Sequence, residues 1–366
     1  MKESYKLNAL RLIMTPKIGP ITYGLLIARY GGPTEAITQA PELARRQGRD
    51  LKITSKNAAL KLIEKAEAQG ACLLVKGAED YPNRLALFDD SPVILYAKGH
   101  LSLLQKDMVA VVGARNASIN AKQLAHHWSQ AIGEAGYVIV SGLARGIDRA
   151  AHIGSSATGT IGVSGCGIDV IYPSENEDLY QEMFNSGLVI CEAPPGTKTS
   201  PRQFPARNRI IASLARAVLV VEAAVKSGSL ITAREVAERG GEVMAIPGSP
   251  TDQRALGANQ LIKDGAHLVN NTDDILSILQ APISEPVFSS PPFHHQKLDD
   301  IDDQMIEKLA KDILNNLSFD AVHIDELTRQ CHVSAKVIQI ALLELELAGH
   351  VERLSGNRVC KIVNFE

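Results

Sequence analysis

The sequence predicts an α/β protein with a doubly wound, mostly parallel sheet, a small helical domain before it and a winged helix after it. Between residues 108 and 269, short apolar runs alternate with helical segments, as in a parallel sheet covered by helices on both faces. Glycine-punctuated helical periodicity fills roughly the first seventy residues, and helices followed by a hairpin end the chain. We therefore expect domains at residues 1–75, 76–280 and 301–366, with a linker at 281–300.

Near-continuous Val, Ile and Leu runs mark the strands of the predicted sheet. Strands that are buried on both faces show such runs, because neither face meets water. We expect strands at Met108–Val112, Tyr137–Val140, Thr160–Ser164, Leu188–Cys191, Ala217–Val221, Val243–Ile246 and His267–Val269. In sheets of this kind, ligands bind beyond the carboxyl ends of the strands, at the point where the strand order reverses.

Composition narrows the class of protein. The 366 residues carry a net charge of −3, which does not favour a general polyanion binder. No apolar run approaches the roughly 18 residues of a membrane span, and the charged start Met1–Lys6 does not resemble a secretory signal. The five cysteines form no C-x-x-C pair, so we expect neither a disulfide framework nor a metal site. These features favour a cytoplasmic protein without a membrane partner.

Charge is distributed unevenly along the chain. Residues 1–106 hold sixteen basic and ten acidic residues, whereas residues 297–366 hold eight basic and thirteen acidic residues. Residues 193–221 contain no acid and five basic residues, namely Lys198, Arg202, Arg207, Arg209 and Arg216. We interpret this last segment as a local basic strip within the predicted sheet domain.

The stretch from Val138 to His152 predicts an anion site. A β-branched run ends at Ser141 and Gly142, a second glycine follows at Gly146, and an alanine-rich helical segment then begins. A strand, a glycine loop and a helix N-terminus together direct free N–H groups and a positive dipole end at one point, which suits a phosphate. Arg145 lies inside this loop. Similar turns follow the other strands, so we expect a rim of N–H groups around an anionic ligand.

A second candidate is the tripeptide Arg207-Asn208-Arg209 at the start of an apolar helix. Cations at a helix N-terminus oppose the helix dipole, and a bound anion would offset that cost. Ion pairs to Glu192 or Glu222 are the structural alternative for the two arginines. Asp148 has two interpretations as well, because an acid near the start of its own helix is favoured by the dipole even without a ligand.

Sequence patterns of catalysis are missing. The chain contains no G-x-x-x-x-G-K-[ST] string and no G-x-S-x-G elbow, and Gly113 stands alone where a dinucleotide fingerprint would begin. Cys166 stands between two glycines on the expected rim, but no residue near it in the sequence would act as its base. The sequence therefore predicts neither an enzyme nor a cofactor site.

The C-terminal region predicts a winged helix-turn-helix. We expect its helices at Met305–Leu314, Ile324–Cys331 and Ser334–Ala348 and its hairpin at Val351–Leu354 with Val359–Ile362. The recognition helix carries Glu344 and Glu346 within an acidic domain, although phosphate contacts dominate affinity for duplex DNA. We therefore favour protein contact or a structural role for this domain over DNA reading.

A glycine turn in the N-terminal region has two interpretations. The turn Ile18-Gly19-Pro20 between two helical segments is typical of a helix-hairpin-helix, a motif that holds a DNA backbone through glycine N–H groups. A single glycine between helices also serves as an ordinary turn that lets the helices pack. We favour the packing interpretation for this turn.

Several motifs of the middle domain occur in an order shared with one known family. They are Val112-Gly113-Ala114-Arg115, Ser141-Gly142-Leu143-Ala144-Arg145-Gly146-Ile147-Asp148, Gly165-Cys166-Gly167-Ile168-Asp169 with Tyr172-Pro173, Phe204-Pro205-Ala206-Arg207-Asn208-Arg209-Ile210-Ile211, Ser227-Gly228-Ser229-Leu230 and Ile246-Pro247-Gly248. With these motifs, the chain resembles the DNA-processing protein A family, also called DprA or Smf. The resemblance covers the whole middle domain.

The resemblance implies an extended Rossmann-like domain that binds single-stranded DNA, protects it and helps to load the RecA recombinase during natural transformation. It also implies a homodimer, an N-terminal domain of the sterile-alpha-motif type and the winged helix predicted above. The DNA contacts of the family fall on its glycine-arginine loops. With the other rim turns added, the predicted DNA-binding residues are Gly113, Arg115, Ser118, Ser141, Gly142, Arg145, Gly146, Lys198, Arg207, Asn208, Arg209, Ser227 and Gly228.

Two other classes of function compete with DNA binding by the rim. Nucleotide phosphoribohydrolases resemble this fold, but their P-G-G-x-G-T loop precedes a catalytic glutamate, whereas no acid follows Pro194-Pro195-Gly196-Thr197 here before Glu222. Release of base from nucleoside monophosphates would reveal that class. A regulator that reads duplex DNA would act through the winged helix, and the acidic balance of residues 297–366 argues against it.

Overall fold

The chain folds into two compact units. The structure, a computed structural model, describes residues 2–48, 50–201, 203–281, 303–354 and 357–362. Contacts group residues 62–290 into one unit, called the sheet unit below, and residues 1–61 with 291–366 into another, called the terminal unit. The predicted linker at 281–300 lies outside the described residues, apart from residue 281.

The sheet unit contains one nine-stranded sheet, counted over the residues that the structure describes. Its strands are β1 Cys72–Val75, β2 Ile94–Gly99, β3 Met108–Val112, β4 Val138–Ser141, β5 Thr160–Ser164, β6 Leu188–Cys191, β7 Ala217–Val220, β8 Glu242–Ala245 and β9 His267–Leu268. Their order across the sheet is β1-β2-β6-β5-β4-β3-β7-β8-β9. Strands β3 to β9 pair in parallel, whereas β1 and β2 pair antiparallel. The predicted mostly parallel, doubly wound sheet is therefore confirmed.

The strand order reverses beside β3. From β3 the chain runs through β4 and β5 to β6 in one direction, and it later runs through β7 and β8 to β9 in the other. The carboxyl ends of β3 and β7 therefore border the switch point of the sheet. In open α/β sheets this crevice is the usual place for a ligand.

Helices cover both faces of this sheet. They are α4 Lys56–Glu67, which begins in the terminal unit, α5 Asn83–Ala86, α6 Ile119–Glu134, α7 Ile147–Gly154, α8 Glu177–Ser186, α9 Gln203–Leu214, α10 Gly228–Glu238, α11 Leu256–Lys263 and α12 Thr272–Gln280. Because side chains alternate along a strand, Ala110 and Val112 face a core shared with α9 and α10, whereas Val109 and Val111 face a core shared with α6, α7 and α12. The unbroken apolar runs of the strands follow from this double burial.

The terminal unit combines an N-terminal helical domain with a winged helix. Its elements are α1 Lys2–Ile13, α2 Pro20–Tyr30, α3 Pro33–Arg46, α13 Asp303–Asn316, β10 Val322–His323, α14 Ile324–Cys331, α15 Ala335–Leu347, β11 Val351–Leu354 and β12 Arg358–Lys361. The last three strands form a sheet in the order β10-β12-β11. The predicted helical domain and winged helix are confirmed. In the described ranges, no helix has the length and apolar character needed to cross a membrane.

Candidate nucleic-acid interface

Two adjoining cavities lie at the carboxyl ends of the parallel strands. The first, of about 330 Å³, is lined by residues that follow β4 and β5. The second, of about 240 Å³, is lined by residues that follow β3 and by the start of α10. Arg115, Ala144, Phe204 and Arg207 line both cavities, so the two form one continuous groove. We call this groove and the loops around it the rim.

The loop between β4 and α7 is held in place by Asp148. One oxygen of the Asp148 carboxylate, Oδ2, accepts hydrogen bonds from the backbone N–H groups of Gly142 at 3.1 Å and Ala144 at 3.3 Å. A Cβ on Gly142 would lie 1.9 Å from Nη1 of Arg207. Gly146 has φ +80°, and its Cβ would lie 2.2 Å from the Ala114 oxygen. The two glycines are therefore required by the packing of the protein itself, whatever the ligand.

Arg207 supports the floor of the groove. It is only 7% exposed, and its Nη1 donates to the backbone oxygen of Val163 at 2.8 Å. Its positive charge opposes the rise that burial causes in the pKa of the Asp148 carboxyl. Arg207 thus offsets the charge of Asp148 beneath the loop and presents only part of its guanidinium to the groove.

Arg115 and Arg145 are two exposed cations that line the groove. The guanidinium carbon of Arg115 lies 5.1 Å from the centre of the Phe204 ring, a cation–π distance. Nη1 of Arg145 lies 3.5 Å from Oε1 of Glu175, and both of these side chains are more than half exposed. Both arginines line the first cavity, and an exposed ion pair holds Arg145 only weakly. They are therefore placed to contact an anion that enters the groove.

Several predicted site residues have structural partners away from the groove. Arg209 donates to the Glu192 carboxylate and to the Asp90 backbone oxygen, so the ion-pair alternative describes this arginine. The hydroxyl of Ser141 is buried and donates to the Val111 oxygen at 2.6 Å. Ser118 caps α6 by accepting from the Ala121 N–H, and its hydroxyl donates to the carboxylate of Glu222. These side chains stabilise the loops that form the rim.

The remaining predicted residues differ in their position. Gly113, Asn208, Ser227 and Gly228 line the second cavity. Ser227 also caps α10, where its hydroxyl oxygen accepts from the Ser229 N–H. Lys198 is exposed in the loop that follows β6, and it lines neither cavity. The groove therefore brings together Gly113, Arg115, Gly142, Arg145, Arg207, Asn208, Ser227 and Gly228.

Two aromatic residues of the groove were not predicted as site residues. The rings of Tyr172 and Phe204 have centroids 5.7 Å apart and are tilted by 40°. Both line the first cavity, and Tyr172 is 40% exposed. The two rings therefore form an aromatic wall of the first cavity, next to Arg115. The signal available in the sequence was the aromatic–proline pair in two of the quoted motifs.

The groove is lined by one thiol and two carboxylates. Burial raises the pKa of the Cys166 thiol, which lines the first cavity, so the reactive thiolate is disfavoured. The two carboxylates that line the groove, Asp148 and Glu175, are engaged by backbone N–H groups and by Arg145. Within the part of the chain that the structure describes, no three His, Cys, Asp or Glu residues are grouped as metal ligands.

The fold and the groove define a class: a Rossmann-like protein with a rim of arginines, glycine loops and aromatic rings at its switch point. Residues 72–280 match the family model of DNA recombination-mediator protein A. Residues 302–357 match the DprA winged helix domain, and residues 3–64 match the DprA-like N-terminal HHH domain. The chain belongs to the DNA recombination-mediator protein A family, DprA/Smf, as its motifs predicted.

Individual relatives agree with the family model. DNA processing protein DprA of Streptococcus pneumoniae is 46% identical over 199 residues, which cover 54% of this chain and 70% of the relative. Protein Smf of Synechocystis is 32% identical over 325 residues, which cover 81% of each chain. The X-ray structure of the Streptococcus pneumoniae protein has a TM-score of 0.62 at 35% identity and covers 75% of this chain and 96% of that one. A structure of DNA processing protein A from Helicobacter pylori, solved for its single-stranded DNA binding mode, has a TM-score of 0.53 at 29% identity and covers 57% of this chain and 95% of that one.

Proposed function

We propose that this protein binds single-stranded DNA in the groove of the rim. The observation that carries the proposal is that two exposed arginines, Arg115 and Arg145, share one groove with the rings of Tyr172 and Phe204. Proteins that bind single strands combine cations along the backbone with aromatic rings on which bases stack. The Helicobacter pylori relative, whose structure was solved for its single-stranded DNA binding mode, supports this assignment.

The groove favours a flexible single strand over a duplex. Phe204 lines both of its cavities, of about 330 and 240 Å³, and Tyr172 lines the first. Stacking on these rings requires unpaired bases, because the faces of paired bases are already covered by their neighbours in the duplex. Backbone N–H groups and arginines contact phosphates, which carry no sequence information. Binding is therefore expected to tolerate any sequence.

Gly113, Asn208, Ser227 and Gly228 extend the proposed contact surface into the second cavity. Together with the first cavity, they make room for more than one nucleotide. Lys198 lies outside the cavity walls, and we propose that it adds a charge along the approach of the strand. The chemistry supported by these groups is reversible binding, since the carboxylates and the thiol of the groove are engaged or neutral.

Family membership supports a wider role for this binding. We propose that the protein protects single-stranded DNA and helps to load the RecA recombinase during natural transformation, as a cytoplasmic homodimer. Recombinase loading requires that the DNA be released to a second protein. A groove of open loops that holds phosphates by exposed, salt-sensitive contacts suits such a transfer better than an enclosed site.

The binding proposal is tested by removing each exposed arginine. Arg115→Ala and Arg145→Ala are each expected to weaken binding of a labelled oligothymidine by about five- to tenfold and to reduce the slope of log affinity against log salt by about 0.7, because each loses one phosphate contact. Fluorescence anisotropy across a salt series measures both quantities.

Lys263→Ala is the matched control. This exposed cation is the last residue of α11, shortly before β9 begins. It therefore lies near the amino-terminal ends of the parallel strands, whereas the rim lies at their carboxyl ends. We expect its affinity and its salt slope to equal those of the unmodified protein. If both rim variants titrate like Lys263→Ala, the proposed groove is not the DNA site.

A further inference from the structure

Most of α15, the recognition helix of the winged helix, is buried, and only Ala335 and Lys336 at its start are exposed. Between Ile340 and Leu347 every side chain is buried except Glu346, which is half-buried. A helix that reads the major groove must present one face to the DNA. A helical segment that is buried around its whole circumference is instead packed on all sides. Another part of the protein must therefore cover the outer face of α15.

The covering elements are α2 and α3 of the N-terminal helical domain. Both contact α15 within the terminal unit. Leu343 and Leu347 are buried but do not belong to the apolar cluster of the winged helix itself. They share one face of α15 with Glu344, because residues three and four apart on a helix are neighbours. That face is directed towards the N-terminal helical domain.

Polar contacts fix the same face. The carboxylate of Glu344, which is 2% exposed, accepts from Nε2 of Gln47 at 3.2 Å and lies 3.5 Å from Nη1 of Arg29. The Thr22 hydroxyl donates to the carboxylate of Glu346 at 2.9 Å. Nε2 of His350 lies 3.1 Å from the backbone oxygen of Gln47. A buried carboxylate with several partners indicates a specific interface, since an unpaired buried charge is strongly destabilising.

We propose that the N-terminal helical domain is the resident partner of the winged helix: it docks on α15 within the same chain, covers the face formed by Leu343, Glu344 and Leu347, and leaves only the first turn of that helix open to other contacts. The uneven charge of the sequence fits this pairing, because the N-terminal part of the chain is basic and the C-terminal part is acidic. The docking joins two ends of the chain into one unit. It is independent of the proposed single-strand site, which lies in the sheet unit.

A charge exchange in the full-length protein tests this docking. Glu344→Arg places two cations together in a buried site, so hydrogen exchange should rise by about tenfold or more in α15 and also in α2 and α3, some 300 residues away in sequence. Arg29→Glu combined with Glu344→Arg restores an opposite pair, and exchange in all three helices should return towards that of the unmodified protein. Mass spectrometry of peptides from α2, α3 and α15 measures each region separately.

Two further variants keep the test decisive. Glu344→Gln preserves the shape of the side chain, so it reports on docking even if Glu344→Arg unfolds the winged helix. We expect hydrogen exchange in α2, α3 and α15 to rise less in Glu344→Gln than in Glu344→Arg. Asp312→Arg changes an exposed acid of α13 and should leave α2 and α3 unaffected. Unchanged exchange of α2 and α3 in Glu344→Gln and Glu344→Arg would overturn the proposal. Loss of hydrogen-exchange protection in α2 when the protein is diluted would also overturn the proposal, because the docked domain would then come from a second copy of the chain.

Discussion

Four arginines near the rim have three different environments. Arg115 and Arg145 are exposed and line the first cavity. Arg207 is buried beneath the glycine loop, where it offsets Asp148, and Arg209 pairs with Glu192 on another side of α9. The sequence predicted all four as DNA contacts, because a run of arginines does not reveal which side chains reach solvent. Burial and hydrogen-bond partners distinguish Arg115 and Arg145, which can contact a phosphate, from the two arginines of α9, which stabilise the protein itself.

The aromatic residues of the groove give a second prediction at this scale. Phe204→Leu should weaken binding of single-stranded DNA by about five- to 150-fold, because stacking contributes about 1–3 kcal/mol per base. The salt slope should stay unchanged, since no charge is removed. The same anisotropy series measures affinity and slope together, and Phe184→Leu, on α8 and outside both cavities, is the matched control. A changed slope at unchanged affinity would contradict a stacking role for Phe204.

At the scale of the elements, most of the parallel sheet could be predicted and its antiparallel edge could not. Strands β3 to β9 follow the predicted runs within one or two residues, because burial on both faces leaves a clear apolar signal. Strands β1 and β2 were missed: short runs such as Cys72–Val75 become strands only by pairing with a distant partner, which no local pattern reveals. The two cavities lie at the strand ends where the sequence predicts a ligand, and the DNA contacts stay a prediction, whereas the partners of Ser141, Arg207 and Arg209 depended on tertiary contacts.

Buried His152 of α7 predicts that the stability of the sheet unit depends on pH. Nδ1 of His152 lies 2.7 Å from the Thr160 hydroxyl, which itself donates to the Ile139 oxygen, so Nδ1–H donates to Thr160 and the buried ring links α7 to β4 and β5. Burial, aided by the charge of Arg207, lowers the pKa of His152 to about 3. Between histidine's ordinary pKa of about 6.5 and the folded-state pKa of about 3, the unfolded chain therefore binds one more proton than the folded chain. The contribution of the neutral histidine to stability is full above about pH 6.5 and is lost progressively as the pH falls below it.

We expect the sheet unit to lose about 2 kcal/mol from this histidine between about pH 7.5 and pH 5. Urea unfolding followed by the fluorescence of Trp128, the single tryptophan and a buried residue of α6, measures this unit. His152→Gln should be less stable at neutral pH but should lose less on acidification. His127→Gln, which changes an exposed histidine of α6, should behave like the unmodified protein. Equal acid losses in all three proteins would rule out this role for His152.

At the scale of the whole molecule, we assign separate tasks to the two units. The sheet unit contains the complete groove, formed by loops from four of its strand ends, β3, β4, β5 and β7, and by the start of α9. The terminal unit places the recognition helix of the winged helix against its own N-terminal helices. The preference for a non-DNA role of the winged helix, drawn from its acidic residues, agrees with this packing. The predicted domain boundaries, including the linker at 281–300, stay predictions.

The most direct test of the central proposal compares single-stranded with duplex DNA of equal length, bound by the full-length protein across a salt series. We expect single strands to bind at least about tenfold more tightly than the duplex, with log affinity falling linearly as log salt rises. Several oligonucleotide sequences should give the same result. Equal or tighter binding of the duplex, or single-strand binding that does not respond to salt, would contradict a groove that holds phosphates with Arg115 and Arg145 and stacks unpaired bases on Tyr172 and Phe204.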